Sequence, residues 1–238
     1  MRVLIVLVTV AGIVAGGAFR AVSADAVAPP AAMPMGHMAH MEHMALTDPR
    51  PAQPGDRQRA DAIVAGAKRA MARYPDVAAA ESAGFHKFLP GIPLPIEHYT
   101  SSQFAREQWT GQLDPEHPTS LIFERHGADL RLVGVMYTAG TSFTPDQLDA
   151  LVPLSVARWH RHVDYCFAPP GVRGDPRFGL AGTIASQSAC DAAHGRWTPQ
   201  IFGWMVHVWP NERDQAQIWA VDRDDTSGTP SMSHPMAM

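Results

Sequence analysis

The chain has 238 residues, a formal net charge of −4, 12 Met, 12 His and only 2 Cys. An acidic balance without a basic patch argues against nucleic acid as a partner. Past residue 56 the chain keeps about 180 residues, enough for one ordinary domain with its own core.

Residues 1–24 have the organisation of a secretory signal peptide. Arg2 precedes an apolar run, Val3–Ala18, that is short for a membrane span, and Val22-Ser23-Ala24 offers a small-x-small cleavage site. Arg20, close behind the apolar run, keeps an uncleaved membrane anchor as the alternative. Because no later segment is apolar enough to cross a bilayer, we expect a periplasmic or secreted protein without a membrane span after cleavage.

The predicted export determines how the two cysteines are interpreted. In an oxidising compartment a disulfide between Cys166 and Cys190 is the default. Ligation of a metal by a free Cys166 thiolate is the alternative. The sequence therefore predicts a bridged pair.

Residues 25–56 are Pro- and Ala-rich and are predicted to be a disordered tail. Within this tail the pair His-Met recurs three times at a three-residue period, and the C-terminal tail, residues 223–238, repeats that composition. Thioether sulfur is a soft ligand that selects Cu(I), and imidazole binds either copper state. A linker without a role is the alternative to a copper site, and zinc or another transition metal is the alternative to copper. The candidate ligands of the N-terminal tail are Met35, His37, Met38, His40, Met41, His43 and Met44.

Residues 57–222 are predicted to form one globular α+β domain, an antiparallel β-sheet with an N-terminal helical segment packed on it. Helical spacing runs from Arg57 to Ala83 with a break at Pro75, and Asp56 is the predicted cap. Two β-rich arms flank a turn at 126–129 and predict a hairpin. Thr144-Pro145 marks a helix start, and residues 218–221 are predicted as an edge strand.

The segment Trp159–Cys166 carries the central functional pattern. In a strand, alternate side chains share a face, so His160 and His162 project together, with Asp164 beside them. Helical spacing also fits residues 156–167 and would turn the two histidines apart. The aromatic and β-branched content favours the strand.

A later apolar segment, residues 201–210, carries His207 and is also predicted to be a strand. If the two strands are neighbours, His160, His162 and His207 form one metal site, with His98 as a further candidate ligand. Glu97 and Asp164 are the candidate carboxylates that orient the imidazoles.

Three motifs together resemble a set of exported bacterial proteins of uncharacterised function. These motifs are WHxH…C at Trp159–His162 with Cys166, CxAxxGxW at Cys190–Trp197, and WMxHVW at Trp204–Trp209. The resemblance covers most of residues 57–221 and implies a single domain, without a known activity. His194 departs from the pattern, where a small residue is expected.

The His-x-His followed about 45 residues later by His207 is also similar to the metal site of cupins. The Gly-rich spacing expected around that motif is absent, and the predicted strands are too few for a full barrel. Three functions remain open. The first is copper handling by an exported protein that binds metal ions and exchanges them with another periplasmic copper protein. The second is a mononuclear, cupin-like oxidoreductase, and the third is a structural domain whose histidines satisfy the core. No Ser-His-Asp set or phosphate loop is present, and the balance is against an enzyme.

Overall fold

The computed structural model describes residues 43–91 and 94–223. The predicted signal peptide, most of the Met/His tail and all of the C-terminal tail except Arg223 lie outside these residues. The helices are α1 (Asp56–Arg73), α2 (Val77–Ser82), α3 (Ser102–Trp109), α4 (Pro145–Leu151), α5 (Gln187–Ala192) and α6 (Gln215–Ile218). The strands are β1 (Met44–Leu46), β2 (His86–Lys87), β3 (Ile96–Thr100), β4 (Ser120–His126), β5 (Asp129–Ala139), β6 (His160–Phe167) and β7 (Arg196–Val208). No helix of the described part of the chain is both long enough and apolar enough to span a membrane.

The strands form one seven-stranded sheet in the order β1-β6-β7-β5-β4-β3-β2, and every neighbouring pair is antiparallel. The predicted α+β class with an antiparallel sheet is confirmed. The predicted hairpin is β4–β5, with Gly127 in the left-handed region of its turn at φ 63°. Residues 160–167 are a strand, so the helical alternative for this segment is wrong.

One face of the sheet packs against the helices. On α1, Ala60, Ile63, Ala67 and Met71 recur at helical spacing and are buried in the main core cluster. They share that cluster with alternate residues of the central strands. These residues are Leu121 and Phe123 of β4, Val135 and Tyr137 of β5, and Val206 and Val208 of β7. The alternate side chains of the same strands therefore face away from this core, onto the opposite side of the sheet.

The two helix starts that the sequence marked, at Asp56 and at Thr144, have different outcomes. The side chain of Asp76 caps α2, and Thr144 forms a capping box at α4. At α1 the cap residue is Gly55, and Asp56 is the first helical residue. The Asp56 carboxylate instead binds Arg50, so the predicted cap is corrected to an ion pair that joins α1 to the preceding segment.

The predicted disordered tail ends earlier than the sequence indicated. Met44–Leu46 form β1, which pairs antiparallel with β6, and the Thr47 amide donates to the Trp159 carbonyl at 2.9 Å. Residues 43–56 therefore belong to the fold and not to a flexible tail. The prediction from Pro- and Ala-rich composition was wrong here, because composition does not show that a segment pairs with the open edge of a strand, in this case β6.

The predicted edge strand at 218–221 is also corrected. The chain forms the short helix α6 with Asp214 as its cap, and the Trp209 amide donates to the Ile218 carbonyl at 2.9 Å. Trp209 additionally donates its indole N–H to the Ala220 carbonyl at 2.8 Å. These bonds turn the segment back over the sheet, where Val221 and Asp222 reach the cavity described below.

Cys166 and Cys190 form a disulfide, with Cα atoms 5.5 Å apart, and no cysteine of the described residues is free. The bridge joins β6 to α5 and closes the long loop between them. The prediction of a bridged pair is confirmed. The alternative of a Cys166 thiolate ligand is therefore wrong, since the sulfur is oxidised.

Candidate functional site

A cavity of about 390 Å³ lies on the face of the sheet that turns away from the main core. Its walls come from β1, β3, β5, β6 and β7, from α3 and from the loops that flank them. Four imidazoles line it: His98, His160, His162 and His207. The structure thus brings together all four histidines that the sequence proposed for the core site.

The four rings form a continuous cluster. The ring centroids of His160 and His207 are 4.8 Å apart, those of His98 and His207 are 5.6 Å apart, and those of His160 and His162 are 5.8 Å apart. His160 is almost fully buried, and the other three are partly exposed to the cavity. Three strands that are far apart in sequence therefore place their imidazoles around one small volume.

The contact between His98 and His207 shows that the sheet curves strongly. Their strands, β3 and β7, are separated by β4 and β5. Three interstrand steps in a flat sheet would set the backbones about 14 Å apart. Rings at 5.6 Å therefore require that the two strands tilt toward each other over a concave face.

Two breaks in strand register accompany this curvature. Between β6 and β7, His160 pairs with Met205 but His162 pairs with Ile201, so β7 contains extra residues there, among them Phe202 at φ 62°. Between β4 and β5 the register shifts at Ile122. Bulges bend a strand and increase its twist, and they recur beside functional sites.

The environments of His98 and His207 suit metal ligation. Burial, reinforced by the neighbouring His207 and His162, lowers the pKa of His98 to about 3. His207 donates its Nδ1–H to the Val221 carbonyl at 2.6 Å, which places the lone pair of a neutral ring on Nε2. The Nδ1 of His162 lies 3.0 Å from the Tyr165 hydroxyl. Neutral imidazoles held at one nitrogen by a protein acceptor are the usual form of histidine ligands.

Three thioethers line the same cavity, from Met44, Met136 and Met205. Met44 pairs in register with His162 and Met205 with His160, so two of the sulfur-bearing side chains lie on strands next to the imidazoles. Met136 and Met205 were not among the predicted site residues. Their only sequence signal is the alternation of their strands.

His43 and Met44 were both predicted as ligands of the tail, and the structure separates them. Met44 lines the cavity. His43 is buried and stacks on Tyr165 at 4.5 Å, with its ring nitrogens 3.2 Å from the Val163 carbonyl and 2.9 Å from the Gly182 carbonyl. His43 therefore packs β1 onto the domain, and a metal would have to displace both contacts. The remaining predicted tail ligands, Met35, His37, Met38, His40 and Met41, lie outside the described residues.

Neither predicted carboxylate lines the cavity. Glu97 is buried on the opposite face of β3, in ion pairs with Lys87 and Arg125. Asp164 stands at φ 62°, and after this irregularity Tyr165 lines the cavity in its place. The acidic residue that does line the cavity is Asp222, which follows α6 and carried no sequence signal.

The spacing of the rings can be compared with that of a metal site. Imidazole nitrogens at 2.0–2.1 Å from a tetrahedral ion place ring centroids about 5 Å apart, close to the distances found here. Among residues 43–91 and 94–223, however, no group of three or more His, Cys, Asp or Glu residues is arranged to hold a metal ion.

Comparisons with other proteins give no match: no family model, no curated protein and no solved structure is similar to this chain.

Proposed function

We propose that this is an exported copper-handling protein that binds the metal at the histidine cluster of the cavity. The observation that carries the proposal is the convergence of His98, His160, His162 and His207 from three strands, at ring spacings of 4.8–5.8 Å. These spacings are close to the separation of about 5 Å between imidazole centroids around a tetrahedral ion.

A purely structural role explains the cluster poorly. Burying polar rings against one another has a desolvation cost that apolar side chains would avoid. The lowered pKa of His98 reflects that cost, since burial and the neighbouring rings both disfavour the imidazolium. Perturbed groups gathered in a concave site favour a functional role over a structural one.

The donor set favours copper over zinc. The cavity offers imidazoles and three thioethers, from Met44, Met136 and Met205, and thioethers select Cu(I). The thiols that zinc prefers are oxidised in the disulfide. The Met/His repeat at 35–44 has the same donor types, and it runs directly into β1 at the edge of the cavity. We infer that the repeat collects copper and passes it to the cluster, which exchanges it with another exported copper protein.

A mononuclear oxidoreductase is the second candidate, because the cavity is larger than an ion and its ligands require. The similarity to cupins extends only to the pattern of three histidines. Cupins enclose their metal between two facing sheets, whereas the strands described here form one curved sheet. We therefore rank binding and delivery above catalysis.

The test is copper titration of the chain from residue 25 onward against a colorimetric Cu(I) chelator. The triple variant H160A/H162A/H207A is expected to lose one copper equivalent. The matched control is His86→Ala, which removes an exposed histidine of β2 away from the cavity and should change nothing. Deletion of residues 25–42 should remove further copper while leaving the cluster's equivalent and the melting temperature unchanged, because β1 is kept.

Two results would contradict the proposal. Unchanged copper stoichiometry in the triple variant would show that the cluster does not bind copper. If the wild-type chain retained zinc but not copper, the metal of the site would be zinc. Export is tested separately, by N-terminal mass analysis of the protein recovered from a periplasmic fraction, with Asp25 as the expected first residue.

A further inference from the structure

Exposed apolar side chains are concentrated at the mouth of the cavity. Five large apolar residues of the described chain are substantially exposed, and four of them line this one cavity: Phe88, Trp109, Leu180 and Phe202. The fifth, Val172, lies elsewhere. Single exposed apolar residues are ordinary, but a group of them around one opening marks a binding site.

Phe202 is unfavourable for folding in two respects. Its side chain is 42% exposed, and its backbone is in the left-handed region at φ 62°, which costs energy for a residue with a Cβ atom. Its ring makes an edge-to-face contact with Phe88 at 5.2 Å across the mouth of the cavity. Strain of this kind persists where function uses the side chain.

The polar atoms in the cavity wall are mostly satisfied within the wall. Thr119 donates to Gln108 at 2.6 Å and lies 2.8 Å from the Thr138 hydroxyl, and Thr100 lies 2.8 Å from the Ser120 hydroxyl. No lysine or arginine lines the cavity among the described residues. A charged or strongly polar ligand would therefore find little to bind along these walls.

The polar groups that a ligand would meet are gathered in the histidine cluster and at Asp222. The cavity thus combines an apolar, aromatic mouth with a donor-rich region. Its volume of about 390 Å³ is near the lower end of the range for small-molecule pockets, which suits a molecule of one or two rings.

We propose that this cavity binds a small, uncharged aromatic molecule, with its rings between Phe88, Trp109 and Phe202 and its polar end toward the histidines. This site goes beyond the proposed copper site and does not require the metal. A bound aromatic molecule would cover the apolar mouth and shield the cluster from water.

The probe for this site is 2-naphthol, a neutral two-ring molecule with one hydroxyl. Isothermal titration is carried out on the chain from residue 25 onward, in metal-stripped and in copper-loaded form. We expect one molecule of 2-naphthol per chain in the stripped form. The anion naphthalene-2-sulfonate should bind at least tenfold more weakly, because no cation lines the walls.

Two variants test the location. Phe202→Gly relieves the left-handed backbone, so the fold is kept, and it should weaken 2-naphthol binding about tenfold. Ala105→Trp fills the cavity from α3 and should abolish binding. Val172→Ala, which removes exposed apolar surface outside the cavity, is the matched control and should bind as the wild type does.

Absence of 2-naphthol binding by the wild type, or equal binding by A105W, would overturn the inference. Equal binding of the anion would overturn the assignment to an uncharged ligand. The copper proposal fails independently. If the protein binds 2-naphthol but not copper, only the copper proposal is refuted. If it binds copper but not 2-naphthol, only the proposed aromatic ligand is refuted.

Discussion

His98 links the geometry of the cluster to a measurable dependence of stability on pH. Burial, with further contributions from His207 and His162, lowers the pKa of this imidazole from 6.5 to about 3. Below pH 6.5 the unfolded chain takes up a proton at this position and the folded chain does not, so acidification favours unfolding. The effect is negligible at pH 7.5, and it grows by about 1.4 kcal/mol per pH unit between the two pKa values. At pH 5 it amounts to about 2 kcal/mol in the metal-free protein.

The perturbation is His98→Leu, which removes the titrating group and keeps an apolar side chain of similar size. Urea unfolding of the chelator-treated protein, followed by tryptophan fluorescence, gives the free energy of unfolding at pH 7.5 and at pH 5. The wild type should lose about 2 kcal/mol more than H98L on acidification. His86→Leu, on an exposed histidine of β2, should lose as much as the wild type. Equal losses in the wild type and H98L would refute the lowered pKa of His98.

Two further predictions concern stability. Thiol titration of the unfolded, unreduced protein should find no free thiol, and two reactive thiols would contradict the bridge. The variant C166S/C190S should have a free energy of unfolding lower by about 3.5 kcal/mol, because the bridge closes a loop with a sequence separation of 24. Gln108→Leu should cost about 3 kcal/mol in urea unfolding, because the buried Gln108 amide accepts from the Thr119 hydroxyl and the Thr138 amide. A loss of under about 1 kcal/mol would show that water replaces these bonds.

Alternation along single strands was readable from the residues. His160 and His162 project to one face because a strand repeats every two residues, and the structure bears out both the strand and the shared cavity. The hairpin at Gly127, the capping box at Thr144 and the disulfide followed from equally local signals or from the cysteine count. These features depend on neighbours in the chain or on a single pair, so composition and spacing suffice.

The alternation of side chains did not predict the site correctly where the strand is irregular. Asp164 was placed beside His162 by alternation, but its left-handed backbone brings Tyr165 to the cavity instead. Glu97 follows alternation correctly and for that reason lies on the face opposite His98, where Lys87 binds it. A positive φ at a residue other than glycine has no reliable sequence signal.

The convergence of His98 with His207 was decided by tertiary structure. Their strands are separated by two others, and only the curvature of the sheet brings the rings to 5.6 Å. That curvature accompanies register breaks at Ile122 and Phe202, whose positions depend on packing between strands distant in sequence. The pairing of β1 with β6 has the same origin. The periodicity of a single strand determines which of its side chains share a face. The distance between side chains on different strands depends instead on strand order, twist and bulges, and these result from contacts between segments distant in sequence.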